Sequence, residues 1–221
     1  MSVLGIDLSA SSNKPSTYAF LDGEGCLSHL GSFKAHDELF SILTERNPAI
    51  VAIDAPLFLP SGLCCLEESC HCSLVDGQKG RIAEQTLASM GIGCFYTNKR
   101  SIIRKLIYRA IDLRGELVQR GYRVIEVYPY ATKVKLFNGR VPAKSNPESL
   151  LFLRKRLPEL ISGLASHARG LNHDRCDALL TAYTGQLSQA GLTEEVGVKE
   201  EGFITIPTQP VKIGRRRADE A

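Results

Sequence analysis

Val3-Leu4-Gly5-Ile6-Asp7-Leu8-Ser9 and Ile50-Val51-Ala52-Ile53-Asp54-Ala55-Pro56 are two short apolar runs, each carrying an aspartate at its end. Runs this short and this rich in aliphatic residues read as strands buried on both faces. A carboxylate at the last residue of such a strand points into the crevice beyond the sheet, where α/β proteins place their ligands. Two of them on neighbouring strands would make a site for a divalent cation.

Outward from these runs the chain alternates in a recognisable way. After the polar stretch Ser9 to Pro15, Ser16–Leu21 and Cys26–Phe33 are strand-like and are separated by Asp22-Gly23-Glu24-Gly25, a hairpin signal. The chain therefore opens as a three-stranded antiparallel meander. His36 to Arg46 carries Leu39, Phe40, Ile42 and Leu43 on one helical face and is stopped by Pro48. A strand, a crossover helix and a second strand return parallel and right-handed, which puts Asp7 and Asp54 at the same end of the sheet.

Residues 55–79 are irregular and hold most of the cysteines. Arg81 to Met90 reads as a helix, and Gly91 to Thr97 as a short extended segment. A long amphipathic helix is expected from Asn98 to Gly121, with Ile102, Ile103, Leu106, Ile107, Ala110, Ile111, Leu117 and Val118 as its apolar stripe. Arg123 to Pro129 is a further strand with Glu126 near its end. Two or three helices follow between Tyr130 and Ser166, interrupted at Pro158. Asp174 to Leu187 is the last helix, and Phe203 to Pro207 a final strand, placed at an edge by its proline.

The fold class is therefore α/β. A meander, a helix, a parallel strand, a helix and another strand is the element order of the ribonuclease H-like fold: a mixed central sheet flanked by helices. The reading is of one domain over residues 1–210 with a cysteine-rich insertion at about 55–79, and a charged, disordered tail over 211–221.

Composition narrows the setting. The 221 residues are 43% hydrophobic and 23% charged, ordinary for a globular protein. No apolar run approaches the ~20 residues that span a bilayer. Asp7 interrupts the N-terminal apolar stretch and no basic segment precedes it, so a signal peptide is not expected. Seven cysteines, an odd number, point to reduced thiols or metal ligands rather than a disulfide framework, and hence to the cytoplasm.

The chemistry lies in the carboxylates. Asp174 and Asp177 fall three residues apart, on one helical face. Two-metal phosphodiester hydrolysis uses three or four carboxylates around cations ~4 Å apart, and Mg²⁺ or Mn²⁺ favour such oxygen ligands. Asp7, Asp54 and Asp177 meet that demand, with Asp174 as a fourth ligand or outer-shell group and Glu126 as a further candidate catalytic residue. Each has a plainer alternative, such as a turn or a helix cap for Asp7, the favourable end of a helix dipole for Asp174, or a polar sheet-edge position for Glu126.

Gly5-Ile6-Asp7-Leu8-Ser9, Ile53-Asp54-Ala55-Pro56-Leu57, Gly91-Ile92 with Phe95 and Thr97, Glu126-Val127-Tyr128-Pro129 and Asp174 through Ala178 together resemble the family known as domain of unknown function 429. That family is described as a predicted nuclease with a ribonuclease H-like fold, and the resemblance runs from about Val3 to Pro207. It implies that Asp7, Asp54 and Asp177 match acidic positions of Holliday-junction-resolvase-type enzymes. Those enzymes often carry a glutamate between the first and last aspartates, so the choice of that ligand here stays open among Asp54, Glu84 and Glu126. Glu84 has its own alternative, an intrahelical pair with Arg81.

Cys64, Cys65, Cys70 and Cys72 fall within nine residues, with three cysteines in all the rest. Four thiolates suffice for tetrahedral zinc or an iron–sulfur cluster, with His71 as a substitute ligand; reactive thiols without metal are the alternative. Tyr96 to Arg123 holds eight basic residues against Asp112 and Glu116, a net of +6 in a chain of net +3. Lys99, Arg100, Arg104 and Lys105 are the candidate nucleic-acid contacts, gaining affinity by counterion release; a solvated outer face is the plain reading. Arg215, Arg216 and Arg217 could add to it.

The leading expectation is a Mg²⁺- or Mn²⁺-dependent nuclease acting on DNA or RNA. A small-molecule phosphoryl-transfer enzyme is the first alternative. Against it, such enzymes close two domains on a nucleotide, and Ser9 to Pro15 lacks a glycine-rich phosphate cradle. A non-catalytic nucleic-acid or protein-binding module on the same fold is the second.

Overall fold

The computed structural model describes residues 1–11, 13–139 and 141–208; the tail expected from residue 211, with Arg215 to Arg217, lies outside them. Seven strands, β1 (Val3–Asp7), β2 (Ser16–Leu21), β3 (Leu27–Phe33), β4 (Ile50–Asp54), β5 (Val124–Val127), β6 (Thr193–Val198) and β7 (Gly202–Pro207), form one sheet in the order β3-β2-β1-β4-β5-β7-β6. β1, β2 and β3 pair antiparallel, whereas β1, β4, β5 and β7 run parallel. This arrangement is ribonuclease H-like, with the two aspartate-bearing strands adjacent at its centre.

The helices are α1 (His36–Arg46), α2 (Ile82–Ser89), α3 (Arg104–Gln119), α4 (Pro129–Leu136), α5 (Glu148–Leu160) and α6 (His173–Gln189). Successive residues of a strand point to opposite faces, and the core divides accordingly. Leu4, Ile6, Val51 and Ile53 pack with Leu39, Phe40 and Leu43 of α1 and Ala110, Leu113 and Leu117 of α3. The alternate residues Val3, Gly5, Asp7, Ile50, Ala52 and Asp54 face α6. That helix lies almost on the sheet backbone: a Cβ on Gly5 would fall 2.1 Å from Ala182 N and 2.5 Å from Ala178 O. Gly185 of α6 answers from the other side, where a Cβ would fall 2.6 Å from Val3 Cγ1. A small residue on each partner is what lets the two backbones approach.

Several expected elements shift. The long helix begins at Arg104, and residues before it form turns, so Ile102 is 83% exposed. Its buried face is Ile107, Ala110, Leu113 and Leu117, while Val118 faces solvent. Gly91 to Thr97 forms no strand. Pro158 does not interrupt α5, which runs two residues past it. β7 is not an edge: it lies between β5 and β6, with Pro207 as its last residue opposite Thr193. The edge strand on that side, β6, has the half-polar sequence Thr193-Glu194-Glu195-Val196-Gly197-Val198 and gives no apolar run to read. Among the described residues, no helix is long and apolar enough to cross a membrane.

Candidate acidic cleft and cysteine cluster

Asp7 and Asp54 are register partners on β1 and β4, so their Cα atoms are one strand spacing apart, ~4.8 Å, and their side chains share the α6 face. The third carboxylate arrives from above. Asn172 caps α6 by accepting from Arg175 N–H at 2.9 Å. With the helix start so fixed and the backbone seated on Gly5, Asp177 comes down over the strand ends, 5% exposed. Asp174, one turn earlier, stays at the rim, paired with Lys14 at 3.3 Å.

The electrostatics follow from this crowding. Burial, then the charges of Asp177 and Asp174, push the Asp7 carboxyl up to about 7. Burial, then Asp177 and Asp7, raise Asp54 well above the usual carboxylate range. Asp177 is neutralised directly: Lys133 Nζ of α4 donates to Oδ1 at 3.1 Å, and Lys144 Nζ, from the loop before α5, donates to Oδ2 at 2.8 Å. A buried carboxylate requires such partners. Neither lysine carries a periodic or motif signal in the sequence. Asp7, Asp54, Asp174 and Asp177 offer only hard oxygen donors, the set that Mg²⁺ and Mn²⁺ take, and a bound cation would offset the burial and mutual repulsion that raise Asp7 and Asp54.

Two cavities open beside these groups. One, about 290 Å³, is lined by Asp7, Asp54 and Lys144 together with Ile103 and Leu106 at the start of α3. The other, about 620 Å³, joins Asp54, Asp177 and Lys133 to Phe95, Tyr128 and Tyr130.

Glu126 lines the smaller cavity with Asp7 and Asp54 but enters it from another direction. It is the register partner of Ile53 rather than Asp54, so it points to the opposite face of the sheet. There Arg81, 1% exposed, clamps it through Nη1 at 2.8 Å and Nη2 at 2.6 Å, and Leu57 N–H donates to it at 2.8 Å. Arg81 Nε also donates to Glu84 at 2.9 Å, and Glu84 accepts from the Thr97 N–H and hydroxyl at 2.7 and 2.5 Å. Both glutamates are therefore engaged in a buried ion network that ties β5, α2 and the loops at Leu57 and Thr97 together. As a candidate site residue, Glu126 thus reaches the cavity already bound by Arg81 and the Leu57 N–H.

The basic segment is likewise partly committed elsewhere. Lys99 Nζ donates to the Cys70 carbonyl, and Arg104 reaches Leu66 O and the Glu67 carboxylate, each at 3.4 Å. Arg109 donates to Ser9 O at 2.7 Å and Lys34 O at 2.9 Å, while Arg114 and Arg120 stack on Phe58 and Phe40. Arg100 and Lys105 are exposed and without a side-chain ion pair among the described residues. Much of the +6 read from the sequence thus serves to hold the fold.

The Sγ atoms of Cys64, Cys65, Cys70 and Cys72 all lie within 4.8 Å of one another, a group able to hold a structural metal. His71 is exposed and outside it.

A mixed ribonuclease H-like sheet with carboxylates gathered at the ends of its two central parallel strands defines the class. The chain belongs to the family described as "Protein of unknown function (DUF429)", which matches residues 5–201. No curated protein matches it. Among solved structures it is similar to RuvC of Thermus thermophilus, with 16% identity and a TM-score of 0.44, over 86% of this chain and 97% of that one.

Proposed function

We propose that this protein is a divalent-cation-dependent nuclease that hydrolyses phosphodiester bonds in DNA or RNA. The observation that carries the reading is the in-register pair Asp7 and Asp54 at the ends of adjacent parallel strands, with Asp177 lowered onto them by α6. Bound Mg²⁺ or Mn²⁺ would supply Lewis-acid activation of water and charge stabilisation at the leaving oxygen. The chain's own groups do the rest. Asp7, Asp54 and Asp177 would hold the cations, with Asp174 at the rim as a further oxygen donor. Lys144, whose side chain is largely exposed at the mouth, is placed to donate to a non-bridging phosphate oxygen. Exposed Arg100 and Lys105 supply charge for the flanking backbone.

One observation favours a second reading. Lys133 and Lys144 already neutralise Asp177, as a binding module without cations would require. A single experiment separates the two: labelled single-stranded, duplex and branched DNA and RNA incubated with purified protein in Mg²⁺, in Mn²⁺ and in chelator. Cation-dependent cleavage that disappears in Asp7→Asn supports the nuclease. Salt-sensitive binding without cleavage in either metal supports the module.

A further inference from the structure

The cysteine cluster stands on the opposite side of the α3 start from the acidic cleft, and the nuclease reading makes no use of it. The four thiols come from a short, solvent-facing stretch with almost no apolar interior: Leu66 is its one fully buried side chain. Hydrophobic burial alone is a weak reason for such a loop to close on itself. Yet four sulfurs converge, and Cys64 and Cys70 approach to 3.6 Å. A disulfide requires ~2.05 Å between sulfurs, and all seven cysteines are free thiols. Thiolates on one tetrahedral zinc, at ~2.3 Å each, lie ~3.8 Å apart. The observed spread, 4.8 Å at most, matches one ion. A cluster of several irons puts its thiolates on different metal atoms and needs them farther apart.

The surroundings indicate what the ion would do. The loop is anchored at its ends by Glu201, which accepts from Ser61 N–H at 2.8 Å and Ile82 N–H at 2.6 Å. Between those ends it grips the start of α3. Leu66 N–H donates to the Tyr108 hydroxyl at 2.6 Å, and that hydroxyl donates to Glu67 at 3.1 Å. Lys99 is held by Cys70 O and Arg104 by Leu66 O. On the loop side these bonds are made by Cys70, by Leu66 beside Cys65, and by Glu67. The other side of the same α3 segment, at Ile103 and Leu106, forms a wall of the cleft that holds Asp7 and Asp54.

We propose that Cys64, Cys65, Cys70 and Cys72 bind a single zinc ion, and that this ion holds residues 98–106 in place as the wall and basic rim of the acidic cleft. The proposal is independent of the nuclease reading, since its tests measure metal content and local order. Full-length protein purified without chelator is expected to contain one zinc per chain, lost in Cys70→Ser/Cys72→Ser. Replacement by Co²⁺ should give the visible bands of a tetrahedral tetrathiolate ion. Iron with broad visible absorption, or no bound metal with Cys64, Cys65, Cys70 and Cys72 open to alkylation, would overturn the site.

The positioning role is tested by hydrogen exchange on the wild-type protein before and after zinc removal, which needs no variant to fold. Faster exchange is expected both in residues 61–79 and in residues 98–106. Zinc loss that frees the cysteine loop while leaving 98–106 unchanged would overturn that role.

Discussion

At the scale of single residues, the decisive fact is that Asp7 and Asp54 are adjacent, half-buried and on the same face of the sheet. At Asp7 this makes stability depend on pH. Its carboxyl is raised from 3.8 to about 7 by burial first and by Asp177 and Asp174 next. Between those values the folded protein holds a proton that the unfolded chain has released. This contribution to stability is therefore present at low pH and is lost as pH rises through about 7. The metal-free protein is expected to melt lower at pH 8 than at pH 6. Added Mg²⁺ or Mn²⁺ should reverse the trend, because a cation binds the deprotonated form and competes with the proton. Calorimetry with and without cation reads both signs. Asp7→Asn removes the buried charge altogether. It should abolish cation-dependent cleavage while stabilising the metal-free protein at pH 8 by on the order of 1–3 kcal/mol, or roughly 3–8 °C in melting temperature.

At the scale of elements, one contact brings Asp177 into place and a second ties β5 to α2. The first is α6 on β1, with no room for a side chain at Gly5. Gly5→Ala puts a Cβ against helix backbone, which cannot rotate away. The variant is expected to lose about 3 kcal/mol or more, seen as a lowered denaturant midpoint, and to lift Asp177 from the cleft. The same substitution at Gly115, where nothing lies within 4 Å of an added Cβ, should be neutral or slightly stabilising. The second contact is Arg81, the cation between Glu84 and Glu126. Arg81→Met leaves two buried carboxylates without their partner and should cost about 3–5 kcal/mol. Adding Glu84→Gln and Glu126→Gln should restore part of that loss. Thermal melting of the single and triple variants tests it, and equal melting temperatures would show that the charges are not the cause.

For the whole molecule, the question is how charge is distributed around the cleft. Arg109, Arg114 and Arg120 fasten α3 to loops and aromatic rings, and Lys99 and Arg104 fasten it to the cysteine loop. Of the eight basic residues from Tyr96 to Arg123, Arg100, Lys105 and Arg123 are exposed and without a side-chain ion pair among the described residues, and the first two lie at the start of α3 beside the cleft. Arg100→Glu with Lys105→Glu should weaken nucleic-acid binding similarly across sequences. The slope of log affinity against log salt should flatten by about 1 for each phosphate no longer neutralised. Arg109→Glu should act instead through stability. Titrations at several salt concentrations, with a melting curve for each variant, distinguish these effects.

What the sequence by itself determined is local. Apolar runs with an aspartate at the end, turn residues between them and helical spacing over 36–46 and 174–187 depend on short-range sterics and periodicity, and those elements fall where the pattern puts them. The clustering of four cysteines is visible for the same reason. Only the tertiary structure decided which groups meet. Strand register set Asp7 beside Asp54 and Glu126 beside Ile53, and one residue of offset reverses the face on which a side chain lands. The lysines that neutralise Asp177 come from α4 and from the loop before α5, 44 and 33 residues away. The basic residues of α3 could be counted in the sequence, but their commitments to distant carbonyls and rings could not. Such pairings are fixed by packing and by the cost of burying an unpaired charge, and neither is a property of a residue and its neighbours in the chain.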